Sequence, residues 1–406
     1  MTLFAKRIAV CLAMIVAALA PGAVAAQQGE PQAWDGQRLS AQPANVQAMF
    51  SGAYGAKAAQ QWATEHSTAV WKAMSAAHGI PFTATTLVPD APPIAADTTI
   101  MPLLWTTQNA PVTGDLIDVD QGRHLLYVGH AATNTIEVFD VSTAVPQWKT
   151  SFHVPGGAAG ILIATDIQKV FGGTPNGMVI VDADPNSATY GVTLNTIYLG
   201  KGGTDELDYD PIDHKVYVTD VGDHNIGVVD TNLNMLIKVY TGFAESQIEQ
   251  PRYNPADGMM YVAFRSTNKL AKFDPRTDTM VSATDVGVPC TPSGLAIKPT
   301  TNIAMLGCRA VPGPGMVVWN LTTNTLDHAV PNVTGADGLI YNAKVDRFFA
   351  AASRWHTGPV MGIFDGSGNF LTNVPTTVQS HQVGFDQTNR VVYTLGGGLV
   401  SFTMPL

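Results

Sequence analysis

The sequence has 406 residues, of which only 13% are charged and 46% are apolar, while Gly and Pro together number 64. This composition excludes disorder and favours short elements joined by many turns. The chain carries 32 acidic and 22 basic residues. That acidic excess argues against nucleic acid and anionic membranes as partners, because both require a basic surface.

The first 25 residues have the pattern of an export signal. Lys6 and Arg7 precede the apolar run Ile8–Ala20, and Ala23 to Ala25 offer a small-residue cleavage site. The run is too short to cross a bilayer, although a retained membrane anchor is the alternative interpretation. We therefore predict a signal peptide over 1–25, an exported (periplasmic or secreted) protein and no membrane span.

Two of the three cysteines, Cys290 and Cys308, lie outside the predicted signal. Because an export compartment is oxidising, we predict a disulfide between them. A reactive free thiol or a metal-binding thiolate pair is the alternative.

Residues 26–98 form a predicted N-terminal arm and linker. The segment 56–78 is rich in alanine, with apolar residues at helical spacing, and predicts one or two short helices. The cluster VPDAPP at 88–93 is typical of a linker.

Residues 99–406 contain a repeated unit. Each unit has an apolar strand, a polar turn and a second apolar strand, as in LDYDPIDHKVYV at 207–218, and further strands follow. The turn positions recur every 44 to 46 residues, at Asp120, Ala164, Asp210, Asn254, Lys298, Asn342 and Asp386. This period is typical of propeller blades, whereas the coils of a β-solenoid are shorter and need end caps. We therefore predict an all-β fold, a seven-bladed β-propeller of four-stranded blades.

The third unit also carries a recognisable motif. Tyr217-Val218-Thr219-Asp220, followed by a loop and IGVVDTN, resembles the signature of the YVTN β-propeller family, with Asp220 where the family has Asn. The resemblance covers roughly residues 115–406 and implies a seven-bladed propeller. The family includes surface proteins and binding proteins, and related propellers include lactonases and lyases. The resemblance therefore leaves the chemistry open.

The seventh unit ends after its third strand, at the C-terminus of the sequence. A ring that lacks one outer strand exposes an edge to unwanted pairing. The apolar stretch TIMPLLWT at 99–106 is predicted to pair with residues 399–403 and close the ring.

The predicted ring places several polar side chains on one face. Loops that enter the innermost strand and loops between the second and third strands share this upper face, and turns between the first and second strands lie on the lower face. Convergent polar groups at a channel mouth predict a binding site. The candidates are Asp205, Glu206, Glu249, Asp337, His381 and Gln382 at the inner strands, and His130, His224, Arg265, Arg309, Arg354 and His356 in the loops.

Three kinds of chemistry suit these residues. His224, His381 and Glu249 are predicted ligands of a divalent metal ion, and the same three with Asp337 are candidate catalytic groups. The arginines would bind a substrate carboxylate. Acidic side chains at strand entrances also commonly accept backbone N–H groups, which is the purely architectural alternative.

Three functions remain open at this point. The first is an exported propeller that binds a small ligand or metal ion at the upper mouth. The second is a metal-assisted or histidine-based hydrolase or lyase acting on a small anionic or lactone substrate. The third is a scaffold for protein partners.

Overall fold

The computed structural model describes residues 116–144, 146–309, 314–353, 359–376, 380–395 and 399–404. These residues form 27 strands in seven antiparallel sheets that follow one another along the chain. The predicted seven-bladed β-propeller is therefore confirmed. The predicted signal peptide, the helical arm and the closing strand at 99–106 all lie outside the described residues.

Each of the first three sheets has four strands. Blade 1 contains β1 (Ile117–Asp120), β2 (Leu125–His130), β3 (Thr135–Asp140) and β4 (Gln147–His153). Blade 2 contains β5 (Ile161–Ala164), β6 (Lys169–Thr174), β7 (Gly177–Asp182) and β8 (Thr193–Tyr198). Blade 3 contains β9 (Thr204–Asp210), β10 (Lys215–Asp220), β11 (Asn225–Asp230) and β12 (Met235–Tyr240).

The next three sheets repeat this order, and the last described sheet has three strands. Blade 4 contains β13 (Ile248–Asn254), β14 (Met259–Phe264), β15 (Lys269–Asp274) and β16 (Thr279–Asp285). Blade 5 contains β17 (Pro292–Lys298), β18 (Ile303–Cys308), β19 (Met316–Asn320) and β20 (Thr325–Val330). Blade 6 contains β21 (Leu339–Asn342), β22 (Arg347–Ala352), β23 (Val360–Asp365) and β24 (Phe370–Pro375). Blade 7 contains β25 (Gly384–Asp386), β26 (Val391–Leu395) and β27 (Leu399–Thr403). One short 3-10 turn, Ala131–Thr133, is the helical content of the described part. No helix there is long and apolar enough to cross a membrane.

The inner strands stand around a central channel, and the first contacts the last. Gln121, at the lower end of β1, fastens blade 1 to blade 7. Its Nε2 donates to the carbonyl oxygen of Phe385 at 2.6 Å, and its Oε1 accepts from the backbone nitrogen of Gln387 at 3.0 Å. The ring is thus closed at its inner edge by hydrogen bonds within the described residues.

Apolar clusters fill the spaces between successive blades. One position of the second strand contributes a large, fully buried side chain in every blade. Its occupants are Tyr127, Phe171, Tyr217, Tyr261, Met305, Phe349 and Tyr393. Burying such side chains is the main favourable contribution to folding, at about 1.5–3 kcal/mol each. The Tyr-Val pair of the motif therefore fills the space between blades.

The backbone conformation of the turns repeats from blade to blade. It explains why histidine occurs at several turn positions. The last residue of the lower turn between the first and second strands has a positive φ in all seven blades: His124, Gln168, His214, Gly258, Asn302, Asp346 and Arg390. On the upper face, Asn134, His224 and Asn268 have φ values of 57°, 57° and 58° at the equivalent place between the second and third strands. Asn, Asp and His tolerate this left-handed conformation better than most residues. The backbone therefore gives His224 an architectural role at this position.

Neighbouring inner strands approach one another closely at the upper end of the channel. A methyl group on Gly160 would overlap the carbonyl oxygen of Asp205, and one on Gly294 would overlap the carbonyl oxygen of Asp337. In both cases the obstacle is backbone of the next blade, which cannot rotate away as a side chain can. Glycine is therefore required where these strands converge.

We expect Gly160→Ala to destabilise the protein by at least about 2 kcal/mol, because overpacking against backbone forces the blades apart. Urea unfolding followed by circular dichroism measures this loss. Gly122→Ala is the matched control, since the nearest atom to its new methyl group is the Asp120 Oδ1 at 3.5 Å. Equal stability of the two variants would contradict the close approach.

Candidate functional site

A chain of ion pairs crosses the upper mouth over blades 4, 5 and 6. Arg265 donates to the Oε1 of Glu249 at 2.6 Å. Arg309 lies 3.2 Å from the Oδ1 of Asp337 and 3.9 Å from the Oε1 of Glu249. The hydroxyl of Ser293 donates to the same Asp337 oxygen at 2.6 Å. Four of the predicted site residues, Glu249, Arg265, Arg309 and Asp337, are thus brought together.

The carboxyl group of Glu249 has a raised pKa within this chain of ion pairs. Burial raises the pKa of its carboxyl, the negative charge of Asp337 raises it further, and the guanidinium groups of Arg265 and Arg309 oppose the shift. The side chains of Arg265 and Arg309 remain 20% and 15% exposed. A buried acid beside partly exposed arginines is an arrangement found at functional sites more often than elsewhere.

A disulfide holds the loop that carries Arg309. Cys290 and Cys308 are bonded, with their Cα atoms 4.4 Å apart, which confirms the predicted pairing. The Oδ1 of Asn268 accepts from the backbone nitrogens of Cys290 and Thr291 at 3.0 and 2.7 Å. The backbone beside Arg309 is therefore held by the disulfide at Cys308 and by the turn of blade 4 that contains Asn268.

A layer of buried polar side chains lies across the channel below the mouth. The Oε1 of Glu206 accepts from the Nε2 of Gln250 at 3.2 Å and from the Nε2 of Gln382 at 3.4 Å. Gln250 also accepts from the backbone nitrogen of Leu295 at 2.9 Å. Blades 3, 4, 5 and 7 therefore meet at this layer, which contains two of the predicted residues, Glu206 and Gln382.

Below this layer the channel contains a cavity of about 170 Å³. Asp118, Asp208 and Arg252 contribute the charged part of its lining, and Leu162 and Ile340 are among its aliphatic walls. Sequence reasoning missed these three charged residues. Each lies two positions along a strand from Leu116, Glu206 or Gln250, so the alternation of side chains in a strand was the available signal.

Each carboxylate of the cavity binds a backbone group of the next blade. The Oδ2 of Asp118 accepts from the nitrogen of Ile163 at 2.9 Å, and the Oδ2 of Asp208 accepts from the nitrogen of Tyr253 at 2.5 Å. Burial raises the pKa of Asp118 to about 6, against the lowering effect of its backbone hydrogen bonds and of Arg252. Burial likewise raises the pKa of Asp208. Both residues are half-buried, because they border the cavity.

The predicted histidines are placed differently from one another. His224 is half-buried at its turn, and within the described residues its ring makes no hydrogen bond or ion pair. His381 is half-buried at the mouth, where its carbonyl oxygen accepts from the nitrogen of Gly338 at 2.7 Å. His130 is fully buried, with its Nδ1 3.6 Å from the Oε1 of Glu137.

The Glu137 carboxylate beside His130 belongs to a polar cluster within blade 1. Burial raises its pKa, but the nearby imidazole of His130 and hydrogen bonds from Ser151, Thr135 and Trp148 outweigh this and lower the pKa to about 2. The pair faces the side of blade 1 that packs on blade 7, because Val128 and Phe139 on the same face belong to that interface.

The remaining sequence predictions concern Asp205, the metal site, Arg354 and His356. Asp205 lies at the mouth in β9, half-buried. Among the residues that the structure describes, no group of three or more His, Cys, Asp or Glu side chains is arranged to hold a metal ion. The metal site at His224, His381 and Glu249 stays a prediction. Arg354 and His356 lie outside the described residues.

Comparison with known proteins supports the fold alone. No protein-family description matches the sequence, and no curated protein matches it. Among solved structures, a chain of the "Crystal Structure of Mitotic Checkpoint Complex" is similar, with a TM-score of 0.60 and 13% identity. The match covers 75% of this chain and 91% of that chain. At this identity the likeness shows a shared propeller architecture.

We expect Asp118 to contribute a loss of stability as pH rises from about 4 to 6. Its folded pKa of about 6 exceeds its usual value of 3.8, so the folded state binds more protons in this window. Asp118→Asn removes this dependence. Urea unfolding at several pH values should therefore show the variant gaining at most about 3 kcal/mol relative to the parent between acid and neutral pH.

Asp327→Asn is the control for this experiment, because Asp327 is exposed on β20, away from the channel. A constant difference between Asp118→Asn and the parent across the pH range would contradict the raised pKa.

Replacing both cysteines, as Cys290→Ser with Cys308→Ser, should cost about 3 kcal/mol of stability by the chain-entropy estimate. The bond closes a loop with a sequence separation of 18 residues. Chemical unfolding of the parent under reducing and non-reducing conditions, beside the double variant, measures the effect. Alkylation of both thiols in the unreduced, unfolded parent would contradict the bond.

Proposed function

We propose that the protein binds a small anionic ligand, such as a carboxylate, at the upper mouth of its channel. The observation that carries this proposal is the ion-pair chain of Arg265, Glu249, Arg309 and Asp337. Two guanidinium groups converge there from neighbouring blades, on a rigid frame of inner strands. Arginine binds carboxylates with paired, charge-assisted hydrogen bonds.

The two acidic residues of the ion-pair chain compete with an anionic ligand for the arginines. Glu249 and Asp337 neutralise the arginines in the ligand-free protein. Because the pKa of Glu249 is raised by burial and by Asp337, mild acid protonates it more readily than an ordinary glutamate. Protonation leaves the two guanidinium charges less compensated. Anion binding is therefore expected to strengthen as pH falls toward the range in which Glu249 titrates.

A ligand at the mouth would also explain why these charged side chains lie in a partly buried place. Two ion pairs that are removed from water gain little stability over apolar side chains of similar size. Their retention is more readily understood if the mouth has a ligand to recognise, as convergent polar groups in a concave site usually do.

The test is a calorimetric titration of the full chain with small mono- and dicarboxylates. Arg265→Gln and Arg309→Gln should each weaken binding by about 10- to 100-fold, the range expected for loss of a charge-assisted hydrogen bond. Arg276→Gln is the matched control, since Arg276 is exposed and pairs with Asp274 at the lower end of blade 4. Glu249→Gln should bind at neutral pH at least as tightly as the parent.

Other results would support a different function for the mouth. Binding of carboxylates that is unchanged in both arginine variants would overturn the proposal. Stoichiometric uptake of a divalent metal, lost in His224→Ala with Glu249→Ala, would favour a metal site instead. Turnover of simple lactones, abolished by His381→Ala, would favour an enzyme. Absence of all three, with a protein partner recovered, would favour a scaffold.

A further inference from the structure

The cavity inside the channel is distinct from the mouth and lies on the other side of the Glu206–Gln250–Gln382 layer. Its volume, about 170 Å³, is close to that of an engineered protein cavity that binds benzene. Six of the seven blades contribute to its lining, so it lies on the axis of the propeller. It is thus large enough for a ligand of a few non-hydrogen atoms.

The charges that line this cavity do not balance. Asp118 and Asp208 carry two negative charges when ionised, and Arg252 carries one positive charge. Arg252 is committed in part to its own surroundings: it donates to the carbonyl oxygen of Pro251 at 2.6 Å and to the Oε1 of Gln250 at 3.0 Å. Further charged groups face the pair from β9, namely Glu206 above and Asp210 below, and both are acids.

An excess negative charge in a low-dielectric space is costly unless something compensates it. Partial protonation supplies some of the compensation, because burial raises the pKa of both Asp118 and Asp208. A ligand with one positive charge would replace this protonation and restore neutrality. Each carboxylate has about four acceptor positions. Asp118 uses two of them, on the backbone N–H groups of Ile163 and Val119. Asp208 likewise accepts from the backbone of Tyr253 and Tyr209, so both carboxylates keep capacity for an ammonium group.

We propose that the channel cavity binds a small aliphatic amine in its protonated, singly charged form, with the ammonium group between Asp118 and Asp208 and the alkyl group against Leu162 and Ile340. This site is independent of the anion site proposed at the mouth.

The lining favours an organic cation over the two obvious competitors. A magnesium or calcium ion needs six or more oxygen ligands, waters included, and here it would face two carboxylates and a repelling guanidinium. A zwitterion has no net charge, so it would leave the excess negative charge in place. The aliphatic walls, by contrast, match an alkyl chain, and each buried methylene group contributes about 0.8 kcal/mol.

The experiment titrates the full chain with n-butylammonium chloride and follows heat and melting temperature. We expect saturable binding of one equivalent, with 1-butanol and magnesium chloride as probes of the apolar and metal alternatives. Asp208→Asn should weaken n-butylammonium binding at least about tenfold, which is the loss expected for one charge-assisted contact. Asp327→Asn on the outer strand β20 should leave it unchanged, and so should Arg265→Gln at the mouth.

Proton release provides a second readout that does not depend on a variant. Binding at about pH 5 should release protons, so the observed heat should change with the ionisation enthalpy of the buffer, and affinity should fall about tenfold from neutral pH. If Asp208→Asn fails to fold, this measurement on the parent protein still decides the matter. Equal binding of 1-butanol, saturable binding of magnesium in place of the amine, unaltered affinity in Asp208→Asn, or no binding of the amine at all would each overturn the proposal.

Discussion

The convergence of seven inner strands on one axis is the constraint on which the rest of the structure depends. At the upper end the strands lie so close that Gly160 and Gly294 face the backbone carbonyl groups of the next blades without room for a methyl group. Larger side chains fit at the same level in other blades because they extend across the axis, as Glu206, Gln250 and Gln382 do. Small and large residues thus share one layer, and this layer separates the mouth from the cavity.

Convergence also determines how buried polar groups find partners. Asp118, Asp208 and Gln250 each accept a hydrogen bond from a backbone nitrogen 45 residues further along the chain, in the next blade. These bonds join sheets that share no ladder hydrogen bonds, since every ladder runs within one blade. The same charged groups that line the channel therefore help to hold neighbouring blades in register. The proposed binding and the architecture thus draw on one set of side chains, which explains why an acidic residue at a strand entrance could be interpreted either way.

The fold was predictable because the turns recur at a regular spacing although the residues at the turns differ. Seven turn positions gave seven blades, and the two cysteines outside the predicted export signal gave the disulfide. The ion-pair chain was predicted in part. The upper-face rule brought Glu249, Arg309 and Asp337 to one mouth, but only the rotamers show that Arg309 lies between the two acids.

His224 shows what the sequence pattern does not reveal about a single side chain. Its sequence neighbours do not indicate that it occupies the left-handed position used by Asn134 and Asn268. Asp118, Asp208 and Arg252 were not predicted, because they lie one side-chain repeat further along the inner strands than the residues of the mouth.

The buried aromatic position of the second strand has a wider consequence. Tyr217 stands there in the motif that suggested the fold, yet Phe171 and Met305 occupy the same place, and the Nζ of Lys272 lies only 5.3 Å from the ring of Tyr261. What persists from blade to blade is the volume of the side chain, while its hydroxyl group is dispensable. A blade interface of this kind therefore requires bulk at this position and not one particular residue. Within this ring the repeat is visible in the intervals between residues more clearly than in the residues themselves.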